Sequence, residues 1–133
     1  MDIVLVDTSV WVNFFKGNPT NASLHLREIL SNTLIATCPT IVQEVLQGVK
    51  TDKDFIKTVG FFDEMLQLRD EPYQLSIDAA TIYRKLRNDG ITIRKPNDCL
   101  IAAYAIRNNI TLLHDDRDFD FIASKSELDI VKF

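Results

Sequence analysis

The chain has 133 residues, a formal net charge of −4 and 46% hydrophobic residues. This composition fits one domain with one core, and the negative charge argues against a protein that coats nucleic acid by bulk electrostatic attraction. Its two cysteines are too few for a disulfide framework, and its acidic start lacks the basic region of a secretory signal. No apolar run is long enough to cross a bilayer. We therefore expect a single domain over residues 1–133 in the cytoplasm, with reduced thiols and no membrane partner.

The N-terminal third predicts an alternation of strands and helices. Residues 3–6 form an apolar run without polar alternation, which is typical of a strand buried on both faces of a parallel sheet. Helical spacing of large apolar side chains predicts a helix over 8–16, and the following Gly17 is a stop signal. A helix over 21–31 and an apolar strand over 34–37 complete this region.

The rest of the chain continues this alternation. Thr40 and Gln43 have the spacing of a capping box, so we expect Thr40 to be the N-cap of a helix that runs to about Lys50. The remaining predicted elements, in chain order, are an amphipathic helix over 52–66, a short strand at 68–69, a helix over 73–88, a buried alanine-rich helix that opens at 96–98 and ends at Asn109, a strand over 110–114, a short helix over 119–124 and an edge strand over 128–131. Strands separated by helices indicate a parallel sheet covered on both faces.

Four acidic residues fall where a parallel sheet builds its sites. Asp7 and Asp116 follow predicted strands, whereas Glu44 and Asp98 lie in the first turns of helices that should start on the same side of the sheet. Carboxylates that converge from different elements suit Mg²⁺ or Mn²⁺, because these cations prefer oxygen ligands. These four side chains are therefore the candidate metal ligands and catalytic residues.

Each acid also has a simpler interpretation. Asp98 would complement a helix dipole, and Asp7 would cap the first helix. Glu44 on an amphipathic helix would face solvent, and Asp116 lies in the charged run over 115–120, which is typical of a solvated loop. Their common position at one edge of the sheet favours a site.

Four segments carry a recognisable pattern. They are Val6-Asp7-Thr8-Ser9-Val10-Trp11, the helix that bears Glu44, Asn97-Asp98-Cys99-Leu100-Ile101-Ala102-Ala103 and His114-Asp115-Asp116-Arg117-Asp118-Phe119. In this order the segments resemble the motifs of PIN-domain ribonucleases, in particular the VapC toxins of toxin–antitoxin pairs. The resemblance extends over essentially the whole chain.

The resemblance implies a PIN-like three-layer α/β/α sandwich around a mainly parallel sheet. It also implies an endoribonuclease that depends on Mg²⁺ or Mn²⁺ and hydrolyses RNA, with transfer or ribosomal RNA as the substrate class. A homodimer and inhibition by a small antitoxin protein are expected as well. Carried over by position, the metal ligands are Asp7, Glu44, Asp98 and Asp116, with Asp115 and Asp118 as neighbours that could share the last role.

Several other residues are open to functional interpretation. Arg94 and Lys95 directly precede the helix of Asp98 and would hold RNA phosphates near the metals, whereas the basic residues over 84–87 are predicted to form a solvated face. His114, at the end of an apolar strand, is predicted to be structural. Large aromatic side chains are numerous for a small monomer, which would suit a dimer or an antitoxin groove. They are Trp11, Phe14, Phe15, Phe55, Phe61 and Phe62.

Thr8 and Ser9, which follow Asp7 directly, have two interpretations. Either hydroxyl would hydrogen-bond the carboxylate of Asp7 or a water at a metal, or it would cap the first helix.

Two alternative functions are open at this point. A PIN-like domain without catalysis would only bind a partner. A calcium-binding module would use the segment from Asp116 to Glu127, in which Asp116, Asp118, Asp120 and Glu127 occupy ligand positions of an EF-hand register, although the turn position holds Phe121 instead of glycine.

Overall fold

Four parallel strands form one sheet in the computed structural model, which describes residues 2–133. The strands are β1 (Ile3–Val6), β2 (Leu34–Thr37), β3 (Leu66–Gln67) and β4 (Thr111–Leu113), and their order across the sheet is β3-β2-β1-β4. Every pairing between these strands is parallel. β1 therefore lies inside the sheet, between β2 and β4, as its uninterrupted apolar run predicts.

Helices cover the two faces of this sheet. They are α1 (Thr8–Lys16), α2 (Asn21–Ile29), α3 (Pro39–Gln47), α4 (Asp52–Asp63), α5 (Pro72–Asn88), α6 (Pro96–Arg107) and α7 (Asp118–Ser124). α1 packs on α2 and α3, whereas α6 packs on α5 and α7. Among these helices of residues 2–133, none combines the length and the apolar character needed to cross a bilayer. The architecture is the expected three-layer α/β/α sandwich.

Helix α1 occupies the predicted residues because both of its ends are marked in the sequence. At the start, the side chain of Asp7 accepts a hydrogen bond from the Ser9 N–H at 3.0 Å. At the end, Gly17 adopts a φ of 73°, and its N–H donates to the carbonyls of Asn13 and Phe14. A left-handed residue of this kind stops the helix.

Helix α6 and the centre of the sheet form the core. Each residue from Ile101 to Ala105 in α6 is at most 5% exposed, so this helix is buried on every face over that span. The small alanine side chains let α6 lie close to its neighbours. Leu5 of β1 and Leu112 of β4 are fully buried beside each other in register.

The carboxyl ends of β1 and β4 lie side by side. Val6 pairs with Leu113, and the Asp7 N–H donates to the Leu113 carbonyl at 3.0 Å. The residues that follow the two strands therefore meet at one edge of the sheet, which is where such folds place their sites.

The capping box predicted at Thr40 is wrong. α3 begins at Pro39, and its N-cap residue, Cys38, makes no capping hydrogen bond within residues 2–133. Proline fixes φ near the helical value and lacks only an N–H that has no partner within a helix at its first position, so the helix starts two residues earlier than predicted. Gln43 instead donates its side-chain amide to Gln47 at 3.1 Å.

The strand predicted at 68–69 lies two residues earlier, at Leu66–Gln67. The Gln67 side-chain amide donates to the carbonyl of Phe62 at 2.8 Å, which ties the start of β3 to the last turn of α4. The helix predicted over 52–66 accordingly ends at Asp63.

The edge strand predicted over 128–131 is reduced to a single parallel bridge between Leu112 and Ile130. Two hydrogen bonds of 2.9 Å flank this bridge, from the Leu112 N–H to the Asp129 carbonyl and from the Val131 N–H to the Leu112 carbonyl. Because β4 has only three residues, it offers few partner groups for a longer ladder.

An aromatic cluster on α1 and α4 reaches from the core to the surface. The ring of Trp11 is fully buried, and its centroid lies 5.7 Å from that of Phe15 and 5.4 Å from that of Phe61. Phe15 and Phe61 are partly exposed. Part of the surplus of aromatic side chains noted in the sequence is thus gathered on one surface.

Candidate metal centre

Three of the four predicted ligands line one cavity at the carboxyl edge of the sheet. Asp7 follows β1, Glu44 projects from α3 and Asp98 lies in the first turn of α6. The cavity has a volume of about 310 Å³, and Lys95 contributes the only basic side chain among the described residues that line it. The structure therefore brings these three carboxylates together from three different elements.

The carboxylate of Asp7 is buried and only half satisfied. Its Oδ2 accepts hydrogen bonds from the Ser9 N–H at 3.0 Å and the Ser9 hydroxyl at 2.6 Å. Its Oδ1 is buried without a hydrogen-bond partner among residues 2–133. Burial raises the pKa of Asp7, the bonds from Ser9 oppose this rise, and the nearby charge of Glu44 adds to it. Asp7 thus caps α1 with one oxygen and leaves the other available.

Asp98 lies in an environment that opposes its charge. Its side chain is buried, and within the described part of the chain its Oδ2 has no hydrogen-bond partner. Burial raises the pKa of Asp98 to about 7, and the charge of Asp7 contributes the next largest rise. Two buried carboxylates that disfavour each other's charge are stabilised when a cation lies between them.

Hydroxyl groups from the start of α1 orient two of these acids. The Thr8 hydroxyl donates to Glu44 Oε1 at 2.8 Å, and the Ser9 hydroxyl donates to Asp7 Oδ2. Glu44 is consequently held toward the cavity instead of extending into solvent. Of the two interpretations of Ser9, the first is confirmed, because its hydroxyl bonds the carboxylate of Asp7. The cap of α1 is the side chain of Asp7, which accepts from the Ser9 backbone N–H.

Asp116 belongs to a second group of acids, which shares Asp98 with the cavity and also contains Asp118. One carboxylate oxygen from each of Asp98, Asp116 and Asp118 lies within 4.8 Å of the other two. The Arg94 Nη2 lies 3.2 Å from Asp116 Oδ1, and the Lys95 Nζ lies 3.0 Å from Asp116 Oδ2.

Asp116 differs from Asp98 in the sign of its pKa shift. Burial alone would raise the pKa of Asp116, but the hydrogen bond from the Asp118 N–H and the contacts with Lys95 and Arg94 outweigh it and lower the pKa. The charged form of Asp116 is therefore favoured by its surroundings, whereas the charged form of Asp98 is disfavoured.

The two neighbours of Asp116 have different surroundings. Asp115 Oδ2 accepts hydrogen bonds from Asn13 at 3.0 Å and Thr20 at 2.7 Å, so its side chain anchors α1 and the start of α2. Asp118 instead faces the acidic group and accepts from the Arg94 Nε at 3.3 Å. Of the two alternatives, only Asp118 lies in this acidic group.

Sequence reasoning missed the anchoring role of Asn13. Ser9 and Asn13 are four residues apart and share one face of α1. Both residues bond Asp115: the Asp115 N–H donates to Ser9 Oγ at 3.0 Å, and the Asp115 carboxylate accepts from the Asn13 side-chain amide. The spacing was visible in the sequence, but the partner 102 residues away was not.

The calcium-loop alternative is wrong. Asp118 and Asp120 belong to helix α7, so the segment from Asp116 to Glu127 does not form a loop that wraps an ion. Asp120 is exposed and contacts His114 Nε2 at 3.2 Å. The other ring nitrogen of His114 accepts from the Asp116 N–H at 3.1 Å, which supports the prediction that this histidine is structural.

The donor set fits a hard divalent cation. All the candidate ligand atoms are carboxylate oxygens, and two of them, on Asp7 and Asp98, are buried without a hydrogen-bond donor in the region that the structure describes. Buried acceptors of this kind are costly unless something positive or a donor satisfies them. Mg²⁺ and Mn²⁺ prefer oxygen ligands of this kind.

The sequence of the chain matches a known family. Residues 4–125 correspond to the PIN domain. The chain belongs to the PIN domain family. Over 98% of its length, this PIN domain is 36% identical to a protein named Ribonuclease VapC11 from Mycobacterium tuberculosis, and the match covers 99% of that relative.

Solved structures share the fold of this PIN domain. VapBC-1 from nontypeable Haemophilus influenzae matches with a TM-score of 0.73 and 19% identity, covering 98% of this chain and 97% of that chain. VapBC-5 from Mycobacterium tuberculosis, a member of the VapBC family of toxin-antitoxin systems, matches with a TM-score of 0.63 and 18% identity over 100% of both chains. These likenesses confirm the predicted fold class.

Proposed function

We propose that this PIN domain is a metal-dependent endoribonuclease that hydrolyses phosphodiester bonds in RNA and acts as the toxin of a toxin–antitoxin pair. The activity is supported by the 36% identity to a VapC ribonuclease across nearly the whole chain. The toxin role is supported by the likeness to a VapBC toxin-antitoxin structure.

One observation carries this proposal. Asp7 and Asp98 come from different elements, line the same cavity and each keep a buried oxygen without a partner among the described residues. A purely structural pair of acids would be expected to have donors for these oxygens. In a metal site these oxygens need no hydrogen-bond donor, because the cation takes that place when it binds.

The ligands that we assign are Asp7, Glu44, Asp98 and Asp116, and the cation that we assign is Mg²⁺ or Mn²⁺. A divalent cation bound there supplies Lewis-acid activation of the phosphodiester and of the water that attacks it. Asp118 lies beside two of these ligands, Asp98 and Asp116, and adds a further negative charge to the site.

The chain's own residues position the ligands and admit the substrate. Ser9 and Thr8 fix one oxygen each of Asp7 and Glu44, so the carboxylates need little reordering when a cation binds. Without a cation, the acidic cavity repels a phosphodiester. Lys95 lines this cavity and Arg94 contacts the neighbouring Asp116, and we assign to these two basic groups the role of offsetting that repulsion.

The partners follow from the same assignment. We infer that the substrate is an RNA of the transfer or ribosomal class, that a small antitoxin protein inhibits the enzyme and that the protein forms a homodimer. We also infer that residues 1–133 form a single domain and that the protein acts in the cytoplasm. The aromatic surface formed by Phe15 and Phe61 is the part of the chain that we assign to protein contacts, because large exposed apolar side chains mark such interfaces.

The test is cleavage of a mixed RNA pool by wild type and by Asp98→Asn, with Mg²⁺, Mn²⁺ or EDTA. We expect wild type to cleave with either cation and not in EDTA, and the variant to lose at least about a hundredfold in rate because a ligand is neutralised. The matched control is Asp63→Asn, an exposed carboxylate at the end of α4.

The control variant should cleave like wild type. Equal cleavage by wild type and Asp98→Asn at matched purity and folding would contradict the proposed site. Cleavage by wild type that persists in EDTA would contradict the metal dependence.

A further inference from the structure

The acidic side chains of the candidate metal centre and the adjoining Asp118 form two groups, which differ in whether basic side chains of the protein neutralise their charge. On one side, Asp7 Oδ1 and Asp98 Oδ2 are buried and lack hydrogen-bond partners among residues 2–133. On the other side, Asp116 and Asp118 contact the cationic side chains of Arg94 and Lys95. Two side chains of the protein thus already neutralise one half of its own candidate metal centre.

The contacts of Arg94 and Lys95 are specific. The Arg94 guanidinium bridges two acids, with Nη2 at 3.2 Å from Asp116 Oδ1 and Nε at 3.3 Å from Asp118 Oδ2. The Lys95 Nζ lies 3.0 Å from Asp116 Oδ2, on the other oxygen of the same carboxylate. Both oxygens of Asp116 are therefore occupied by cationic groups.

The tethers of the two residues differ. The backbone N–H of Arg94 contacts Asp118 Oδ2 at 3.4 Å, so its main chain is held near the cluster as well as its side chain. Lys95 is the N-cap residue of α6, and its side chain makes a single ion pair within the described chain. Lys95 is the residue that can leave its acid at the cost of one contact.

Exposure and position fit such a movement. The side chain of Lys95 is 55% exposed, so more than half of its surface is already in contact with solvent. Lys95 also lines the cavity that contains Asp7, Glu44 and Asp98. An ammonium on a four-carbon stem can turn away from Asp116 toward solvent by rotating side-chain bonds alone.

We propose that Lys95 is a built-in counter-ion of the metal-free centre, that a divalent cation displaces it from Asp116, and that the displaced ammonium then binds a phosphate of the RNA. The last step rests on the proposed function. Arg94 stays on Asp118 as the fixed member of the pair, and Lys95 is a positioning residue that exchanges one anionic partner for another.

The exchange has a simple electrostatic basis. A cation that uses Asp116 as a ligand and the Lys95 ammonium compete for the same carboxylate and repel each other. A phosphate brought to the mouth of the cavity offers the released ammonium a new anion. Cation binding and RNA binding therefore favour each other through one side chain.

The first experiment measures Mn²⁺ affinity in the absence of RNA, by the loss of the free Mn²⁺ electron paramagnetic resonance signal. We expect Lys95→Gln to bind Mn²⁺ roughly three- to tenfold more tightly than wild type, because a competing charge is removed. Lys95→Arg keeps the charge and should stay close to wild type. The control is Lys125→Gln, which removes an exposed charge just after α7.

A purely structural Lys95 predicts a different pattern. In that case Lys95→Gln would bind Mn²⁺ equally or more weakly than wild type, and this result would overturn the exchange. Unchanged far-ultraviolet circular dichroism and thermal midpoint would show that both Lys95 variants are folded.

The second experiment measures binding of a short fluorescent single-stranded RNA by anisotropy, in EDTA and in Ca²⁺. In EDTA, Lys95 is held by Asp116, so wild type and Lys95→Gln should bind alike. In Ca²⁺ the ammonium is released, and we expect Lys95→Gln to bind the RNA roughly three- to tenfold more weakly. An equal loss under both conditions would overturn the coupling.

The outcomes separate this inference from the proposed function. If wild type cleaves RNA but Lys95→Gln does not tighten Mn²⁺ binding, the exchange fails and the nuclease assignment stands. If wild type binds Mn²⁺ more weakly than Lys95→Gln but cleaves no RNA, the counter-ion role stands and the nuclease assignment fails. Failure of wild type to bind Mn²⁺ overturns both.

Discussion

Asp98 is the residue in which function and stability oppose each other most clearly. Its buried side chain has an oxygen without a partner in the described chain, and the charge of Asp7 lies nearby. In the metal-free protein, this carboxylate destabilises the fold whenever it is ionised.

The pH dependence of stability tests this conflict. The folded-state pKa of Asp98 is about 7, above the ordinary value of 3.8, so the folded state binds more protons than the unfolded state between these values. The contribution of Asp98 to stability is therefore present below about pH 4 and is lost as the pH rises toward 7. At about 1.36 kcal/mol per pKa unit, the loss amounts to at most about 4 kcal/mol.

The measurement is urea unfolding in EDTA, of wild type and Asp98→Asn, at about pH 5 and about pH 8. We expect the variant to gain stability relative to wild type as the pH rises, and to be more stable by about 2–4 kcal/mol at the higher pH. A difference between the two proteins that does not change with pH would contradict the raised pKa.

Ser9 joins the cavity to the segment that follows β4. Its hydroxyl donates to Asp7 Oδ2 at 2.6 Å and accepts from the Asp115 N–H at 3.0 Å. We expect Ser9→Ala to lose about 1–3 kcal/mol of unfolding free energy, since it leaves a partly buried acceptor and a donor without this partner. Ser76→Ala, which removes an exposed hydroxyl bonded to Pro72, should change stability by less than about 0.5 kcal/mol.

At the level of single residues, the sequence predicted positions better than partners. Asp7 and Asp98 lie at the strand end and the helix start where they were predicted, whereas Glu44 lies in the second turn of α3 and not in the first, because α3 starts at Pro39. All three side chains line one cavity as expected, and their roles as ligands stay predictions. The pairing of Asp116 with Lys95 was not predicted, because it depends on how the loop before α6 packs on the segment after β4.

Among the secondary-structure elements, α6 carries the tightest packing. Ala103 is 1% exposed in the middle of this helix. We expect Ala103→Leu to lower the unfolding free energy by about 1–3 kcal/mol, because the added volume forces neighbouring side chains from their preferred conformations. The control is Ala80→Leu, the same change at an exposed position of α5, which should be nearly neutral. Urea unfolding of both variants gives the comparison, and equal effects would contradict the packing.

Periodicity predicted the elements where burial determines them, as in β1 and α6. It failed where a local bond or a single residue sets the boundary. The start of α3 depends on the rigid ring of Pro39, and the end of α4 depends on the bond from Gln67 to the Phe62 carbonyl. The apolar pattern over 52–66 contains no trace of that bond, so the predicted helix ran too far.

For the whole molecule, the net charge of −4 and the acidic cavity make cation binding a stabilising event. A ligand that binds only the folded state adds RT ln(1 + [L]/Kd), or about 2.7 kcal/mol at a hundredfold excess over Kd. We expect Mg²⁺ to raise the thermal midpoint of wild type near pH 8 and to have little effect on Asp98→Asn. Sodium chloride at matched ionic strength is the control, and an equal rise in both proteins would indicate binding elsewhere.

The central claim is that a divalent cation binds between the buried carboxylates at the sheet edge. Anomalous X-ray scattering from a crystal grown with Mn²⁺ tests it most directly, because it locates the cation without reference to activity. We predict a manganese peak within about 2.0–2.5 Å of oxygens from both Asp7 and Asp98. A fully folded crystal that shows no peak at this position, or shows Mn²⁺ only on exposed acids, would contradict the claim.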